Sequence, residues 1–176
     1  MGWTSNDLRI EMENAKTAAT AAEAIKNYAS EYVSDYQSAV LERLISDLTV
    51  KDNAVILQDS YFMHGFDYLD FVPEICKLIA TIGTFKGDAF FISGYGDEGS
   101  SMFSSDGDTL TLKTVYYPNG YYEYLCCDEC GEDVIPVEEY EEGKKYICPE
   151  CGEEIDLSEF YKEHLPEIEE LVIKIK

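Results

Sequence analysis

Four of the six cysteines in this chain fall into two near copies of one pattern, Cys127-Asp128-Glu129-Cys130-Gly131 and Cys148-Pro149-Glu150-Cys151-Gly152. Seventeen residues separate Cys130 from Cys148, within the spacing expected of a four-cysteine metal site. Two thiolates three positions apart can curl onto one side of a metal ion, and a following glycine relaxes the tight backbone between them. Two such turns complete a closed tetrahedron with Zn–S distances of about 2.3 Å. Cys127, Cys130, Cys148 and Cys151 are therefore the expected ligands of one structural Zn²⁺. Disulfides are disfavoured because nothing in the sequence suggests secretion, and a redox-active Cys-x-x-Cys needs no second copy. One iron would also accept four thiolates, but the long spacer and the absence of a redox context favour zinc. Cys126 lacks the two-residue gap and the matching glycine, so it is expected to be a strand residue, and Cys76 a helix-core thiol.

These paired turns resemble the zinc ribbon family, in which such turns sit at the ends of β-hairpins. The resemblance covers about residues 126–156 only. It implies a structural staple, and since ribbons of this kind meet nucleic acid or protein, it leaves function open.

Charge narrows the choice. The 176 residues carry 36 Asp plus Glu against 13 Lys plus Arg, a formal net charge of −23. From Cys126 to Phe160 there are 13 acids and only Lys144 and Lys145 opposite, and a four-thiolate zinc centre adds about two negative charges. Such a module repels phosphate backbones and lacks the basic stripe of a nucleic-acid reader, so the expected partner is a protein with a basic surface.

Other motifs carry less. Gly94-x-Gly96-x-x-Gly99 has dinucleotide-loop spacing and follows an expected strand, but Ser100-Ser101-Met102-Phe103 leads into another strand, and Asp97 and Glu98 would face a pyrophosphate with like charge. It reads as a hairpin loop. Asp106-Gly107-Asp108 lacks the further ligands of a calcium loop and reads as a turn. His64 and His164 have no catalytic companions in a familiar arrangement, so no enzyme is expected. Tyr117, Tyr121 and Tyr122 cluster around the Asn119-Gly120 turn, where outward tyrosines suit protein contact. With Glu138, Glu139, Glu141 and Glu142 they form the candidate partner surface.

The elements that must position these groups divide by period. Thr17 to Asp35 carries Ala18, Ala21, Ala22, Ile25, Tyr28, Ala29, Tyr32 and Val33 at helical steps, and Tyr36 to Leu48 a second amphipathic run. Ala54 to Met63 reads as a strand. Asp70 to Ile82 reads as a helix with Pro73 in its first turn and Gly83 closing it. Asp88–Ser93, Ser100–Ser105, Thr109–Tyr117 and Tyr121–Cys126 read as an antiparallel meander running into the cysteine module. Asp156 and Glu159 suggest a capping box for a short helix, and Leu171 to Lys176 a closing strand.

The expected fold class is α+β: N-terminal helices and an antiparallel meander in a main domain, 1–125, then a C-terminal zinc-ribbon module with its short helix and closing strand, 126–176. No apolar run reaches membrane-spanning length and no signal peptide opens the chain, so the expected location is cytoplasmic. The expected function is an acidic, zinc-binding protein–protein interaction module. Its sharper form is a nucleic-acid mimic inhibiting a nucleic-acid-handling enzyme, in the manner of small acidic phage or mobile-element inhibitors of defence nucleases such as anti-CRISPR proteins. That comparison rests on charge and size. The alternatives are a zinc-ribbon accessory factor of transcription or translation machinery and, behind it, an enzyme.

Overall fold

The structure, a computed structural model, describes residues 3–32, 45–63, 68–93, 98–117 and 121–175. Its frame is a seven-stranded sheet with every neighbouring pair antiparallel. In chain order the elements are β1 (Trp3–Met12), α1 (Ala15–Tyr32), β2 (Thr49–Lys51), β3 (Ala54–Met63), α2 (Tyr68–Ala80), β4 (Phe85–Ser93), β5 (Glu98–Ser105) and β6 (Thr109–Tyr117). The cysteine module follows, with β7 (Tyr124–Cys126), β8 (Asp133–Pro136), β9 (Tyr146–Ile147), β10 (Glu154–Ile155) and α3 (Ser158–Glu163), and β11 (Glu167–Lys174) ends the chain. The large sheet runs β11-β6-β5-β4-β1-β3-β2.

Strand β1 lies near the middle of that sheet, although no strand was expected before residue 54. Leu8, Ile10 and Met12 point into the core while Arg9 and Glu11 between them stay in contact with water, the period-two pattern of a strand with one wet face. Its pairing with β3 slips between Asn6 and Leu8.

Helix α1 begins on a reciprocal cap. The Asn14 side-chain oxygen accepts from the Lys16 and Thr17 amides at 3.0 Å each, and the Thr17 hydroxyl accepts from the Asn14 amide at 3.2 Å. Two of the amides a helix start leaves unpaired are thereby satisfied. Ala18, Ala21, Ala22, Ile25 and Ala29 are buried, and the small side chains let the helix lie close to its neighbours. The expected run at 36–48 falls outside the described residues except at its end, where Leu48 is buried.

Helix α2 starts two residues earlier than expected, which moves Pro73 out of the first turn and into the helix interior. One helical hydrogen bond is lost there. Burial of Phe71, Val72, Ile75, Cys76 and Ile79 holds the helix regardless. The Gly83 amide donates to the Ile79 carbonyl at 3.2 Å, and φ at Gly83 is not left-handed. Tyr28 of α1 meets Phe71 of α2 with ring centroids 5.9 Å apart.

The helices, Leu8, Ile10, Val55, Leu57, Phe91, Phe103, Leu110 and Leu112 make one continuous core on one side of the sheet. The opposite side faces water, with Met102 63% and Val172 69% exposed. Strands β4, β5 and β6 form the expected meander, and Asp106 turns the β5–β6 hairpin by accepting from the Asp108 and Thr109 amides at 2.9 and 2.8 Å. The meander does not run on into the cysteine module. β6 pairs along its free edge with β11, whereas β7 leaves the sheet to pair with β8. The strand that sequence groups with the ribbon is thus a strand of the large sheet. Its Leu171 and Ile173 pack against the main core, which the local pattern shows only as an alternation without a destination.

Candidate metal centre

Each Cys-x-x-Cys-Gly turn sits at the tip of a small antiparallel hairpin, the first between β7 and β8 and the second between β9 and β10. The turns are copies in geometry as well as in sequence. The Gly131 amide donates to the Cys127 carbonyl at 2.7 Å and the Gly152 amide to the Cys148 carbonyl at 3.0 Å. The Cys127 amide reaches the Glu132 carbonyl at 2.8 Å, and the Cys148 amide the Glu153 carbonyl at 2.9 Å. Both glycines are left-handed, with φ of 74° and 75°, a conformation that residues with a Cβ resist.

This geometry brings the four sulfurs together. All lie within 4.8 Å of one another, with Cys127 Sγ 3.7 Å from Cys151 Sγ and Cys130 Sγ 3.5 Å from Cys148 Sγ. A tetrahedron with metal–sulfur bonds of about 2.3 Å has edges of about 3.8 Å, so the cluster fits a tetrahedral thiolate site. The first cysteine of each turn is buried and the second exposed. A half-buried cluster of four soft sulfur donors suits a thiophilic metal ion.

Crowding divides the acidity of these thiols. Backbone amides, Cys151 first and Glu150 after it, together with the Cys151 and Cys130 thiols, bring Cys148 down to about 7. At Cys130 the Glu132 amide favours the thiolate, but contacts from Cys148, desolvation, Cys127 and Cys151 outweigh it and push the thiol up to about 12. Four thiolates this close repel one another unless a cation lies among them, which is the electrostatic reason such a cluster accepts a dication.

Cys126 stands apart, its sulfur 3.4 Å from an Asp133 carboxylate oxygen. Its thiol is raised by burial first and then by that carboxylate. Cys76 is buried in α2, and burial pushes its thiol far up. Both lie outside the cluster.

A small core supports the centre. Leu125, immediately before Cys126, is fully buried against Tyr146 and Leu157, with Val134, Ile135, Tyr140, Phe160 and Tyr161 around them. Tyr146 sits two residues before Cys148, and its hydroxyl accepts from the Glu141 amide at 2.7 Å. Sequence reasoning passed over this second core, although Leu125, Tyr146 and Leu157 each flank a turn or the short helix. The expected capping box of α3 is not formed. Asp156 instead accepts from the Ser158 amide at 3.0 Å, one position early, and the residue at the helix start is Leu157, whose side chain serves the small core.

The candidate partner residues lie around this module. Tyr121 and Tyr122 are exposed, and Tyr117 is half-buried with its ring edge-on to Tyr121 at 5.4 Å. Glu138, Glu139, Glu141 and Glu142 are exposed on and after a single 3₁₀ turn, Val137–Glu139. His164 is packed between Phe160 and Tyr122, with centroids 4.2 and 4.3 Å away, and its Nδ1 lies 2.5 Å from the Phe160 carbonyl. His64 and Gly94 to Asp97 fall outside the described residues. Glu98 and Gly99 already belong to β5, which pairs with β4 as a hairpin does.

No helix among the described residues is long and apolar enough to cross a membrane. No protein-family model matches this chain, and no curated protein or solved structure is found to be similar to it.

Proposed function

We propose that Cys127, Cys130, Cys148 and Cys151 hold one structural Zn²⁺, and that the chain is an acidic interaction protein whose partner presents a basic surface. When bound, the ion supplies four strong bonds with no open coordination position, so its contribution is to the folding of the module. The residues around it orient the sulfurs through the Gly131 and Gly152 turns and shield two of them in the small core.

The observation that carries the partner reading is where the acids lie. Residues 121–170 contain 18 of the 36 acidic side chains, every one exposed, against Lys144, Lys145 and Lys162. Lys144 and Lys145 are already paired with Glu141 and Glu154. A field of one sign over so much surface repels nucleic acid and steers basic proteins toward it. In its sharper form the chain occupies the phosphate channel of a nucleic-acid-handling enzyme.

The test is capture from host extract on the immobilised chain, eluted with rising salt and, separately, with a short DNA duplex. Basic proteins released by about 0.5 M NaCl and displaced by the duplex are the expected result. Retained proteins that ignore both salt and duplex would overturn the mimic. They would favour the accessory-factor reading, in which contact is made through the tyrosines and apolar surface.

A further inference from the structure

The water-facing side of the large sheet carries a charge order that is complementary to itself. The register aligns Arg9 of β1 with Asp88 of β4, Asp88 with Met102 of β5, Met102 with Lys113 of β6, and Lys113 with Glu170 of β11. Directly opposed residues share a face at about 4.8 Å per strand, so these five make a row across it. The row reads positive, negative, apolar, positive, negative. We propose that this face is the interface of a homodimer, related by a two-fold axis lying in the face along β5 and passing through Met102.

The rotation lays β6 over β4 and β11 over β1 of the second copy. Lys113 and Glu170, already paired with each other at 3.1 Å within the chain, then also meet the second copy's Asp88 and Arg9, and the two Met102 side chains meet on the axis. Every charge in the row finds its opposite, twice by symmetry, as an isologous contact requires. The neighbouring row, Asp7–Phe90–Ser100–Val115–Ile168, places Phe90 over Val115 and Asp7 over Ile168 at its ends. At the rim Glu11 comes over Val172 and keeps its own partners, Arg9 at 2.9 Å and Lys86 at 3.4 Å.

Three further features favour a second copy over another occupant. A face built for a basic or an acidic partner would carry one sign, whereas Asp7, Arg9, Glu11, Lys86, Asp88, Glu98, Lys113, Glu170 and Lys174 are mixed and sum to only −1. In a chain of net −23, a nearly neutral face is where a second copy can approach with least repulsion. Exposed apolar side chains also gather here, with Met102 at 63%, Ile168 at 58% and Val172 at 69%. Finally, five strands about 4.8 Å apart and about eight residues long span roughly 600 Å² in projection, which in accessible area approaches the about 800 Å² per partner of a stable interface. The shallow depression of about 600 Å³ above these residues has room for the long side chains of an opposing copy.

Sedimentation equilibrium of the full, metal-loaded chain tests this. The expected result is twice the 19.9 kDa chain mass at tens of micromolar; a chain that stays monomeric at about 200 µM overturns the proposal. Lys113→Asp and Asp88→Lys should each weaken the dimer at least about 100-fold, because each sets like charges opposite one another at two symmetric places. Mixed one to one, the two variants should pair again, since both cross-contacts become opposite in sign. Failure of the mixture to pair sinks the assigned symmetry. Circular dichroism and metal content check that both variants fold. Should either not fold, Met102→Glu puts two carboxylates together on the axis, and a dimer indifferent to that change is equally fatal.

Discussion

Gly131 and Gly152 hold the same left-handed backbone, φ 74° and 75°, each one residue after the second cysteine of its turn. An added Cβ would meet nothing within 4 Å at either position, so a substitution there tests conformation without a clash. Gly131→Ala or Gly152→Ala should cost about 1–2 kcal/mol. Competition with a chelating dye would read this as a 5- to 30-fold weaker metal affinity, and an unchanged affinity would show that the left-handed turn does not matter.

Metal content gives the most direct check on the centre. The purified chain should carry about one Zn²⁺, Cys148→Ser should lose it, and Cys126→Ser should keep it, because the Cys126 sulfur is turned toward Asp133. Loss of metal in Cys126→Ser would mean the ligand set is misassigned.

Removing the metal should unfold one part of the molecule and leave the other. Leu125, Tyr146 and Leu157 form their own cluster, while the core under the large sheet shares no buried residue with it. After chelation, limited proteolysis should cut between residues 121 and 166, and β1, β3 and β4 should keep their protection from hydrogen exchange. Global unfolding on chelation would contradict this division.

Gly87 of β4 shows how tightly that large core is built. A Cβ there would lie 2.3 Å from the Arg9 carbonyl oxygen and 2.4 Å from the Phe103 ring, and the carbonyl, being backbone in the middle of a sheet, cannot step aside. Gly87→Ala should destabilise by about 3 kcal/mol or more in denaturant titration. By contrast, Thr111→Ala on the wet face should change stability by less than about 0.5 kcal/mol.

Glu13 ties the β1–α1 turn to the start of β4. Its carboxylate accepts from the Thr84 amide and hydroxyl, both at 2.9 Å, and these bonds, the amide first, lower its pKa below the ordinary 4.5. A group depressed in the folded state adds stability that is present above its unfolded pKa and lost as pH falls through the folded value. Glu13→Gln should therefore fold less stably than the parent at pH 6, and the gap should close below about pH 4. A gap that persists at pH 3 would point to a cause other than ionisation.

How much of this was legible in the sequence varied with how local the signal was. The four-cysteine cluster was readable to the residue, because two Cys-x-x-Cys-Gly turns encode their own geometry. Helices α1 and α2 and strand β3 were readable from Ala18 to Ala29, Phe71 to Ile79 and Ala54 to Met63, where the apolar period runs for several turns or many residues. Strand β1 was equally visible in the alternation Leu8-Arg9-Ile10-Glu11-Met12, but its five-residue run is short beside the helical period that follows from Ala15. Strand pairing was not visible. Pro118-Asn119-Gly120 looks like a hairpin between β6 and β7, yet β6 takes β11 from 50 residues further on. Leu112 and Leu171 gain a shared core that no local pattern announces. The charge order from Arg9 to Glu170 is likewise distributed over five strands and exists only once they are in register.

Pairing β6 with β11 also sets an order of assembly. The segment from Tyr117 to Glu167 is a loop whose closure costs about 3 kcal/mol of chain entropy when it is unstructured. Clamping Cys127 and Cys130 to Cys148 and Cys151 shortens that loop before the last strand arrives. During synthesis, the sheet can form up to β6 first; if an ion is then captured by the four cysteines, β11 would dock last onto an edge already waiting for it. An ion held by the four cysteines would thus govern how quickly the seventh strand finds its place, at a distance from any bond it made itself.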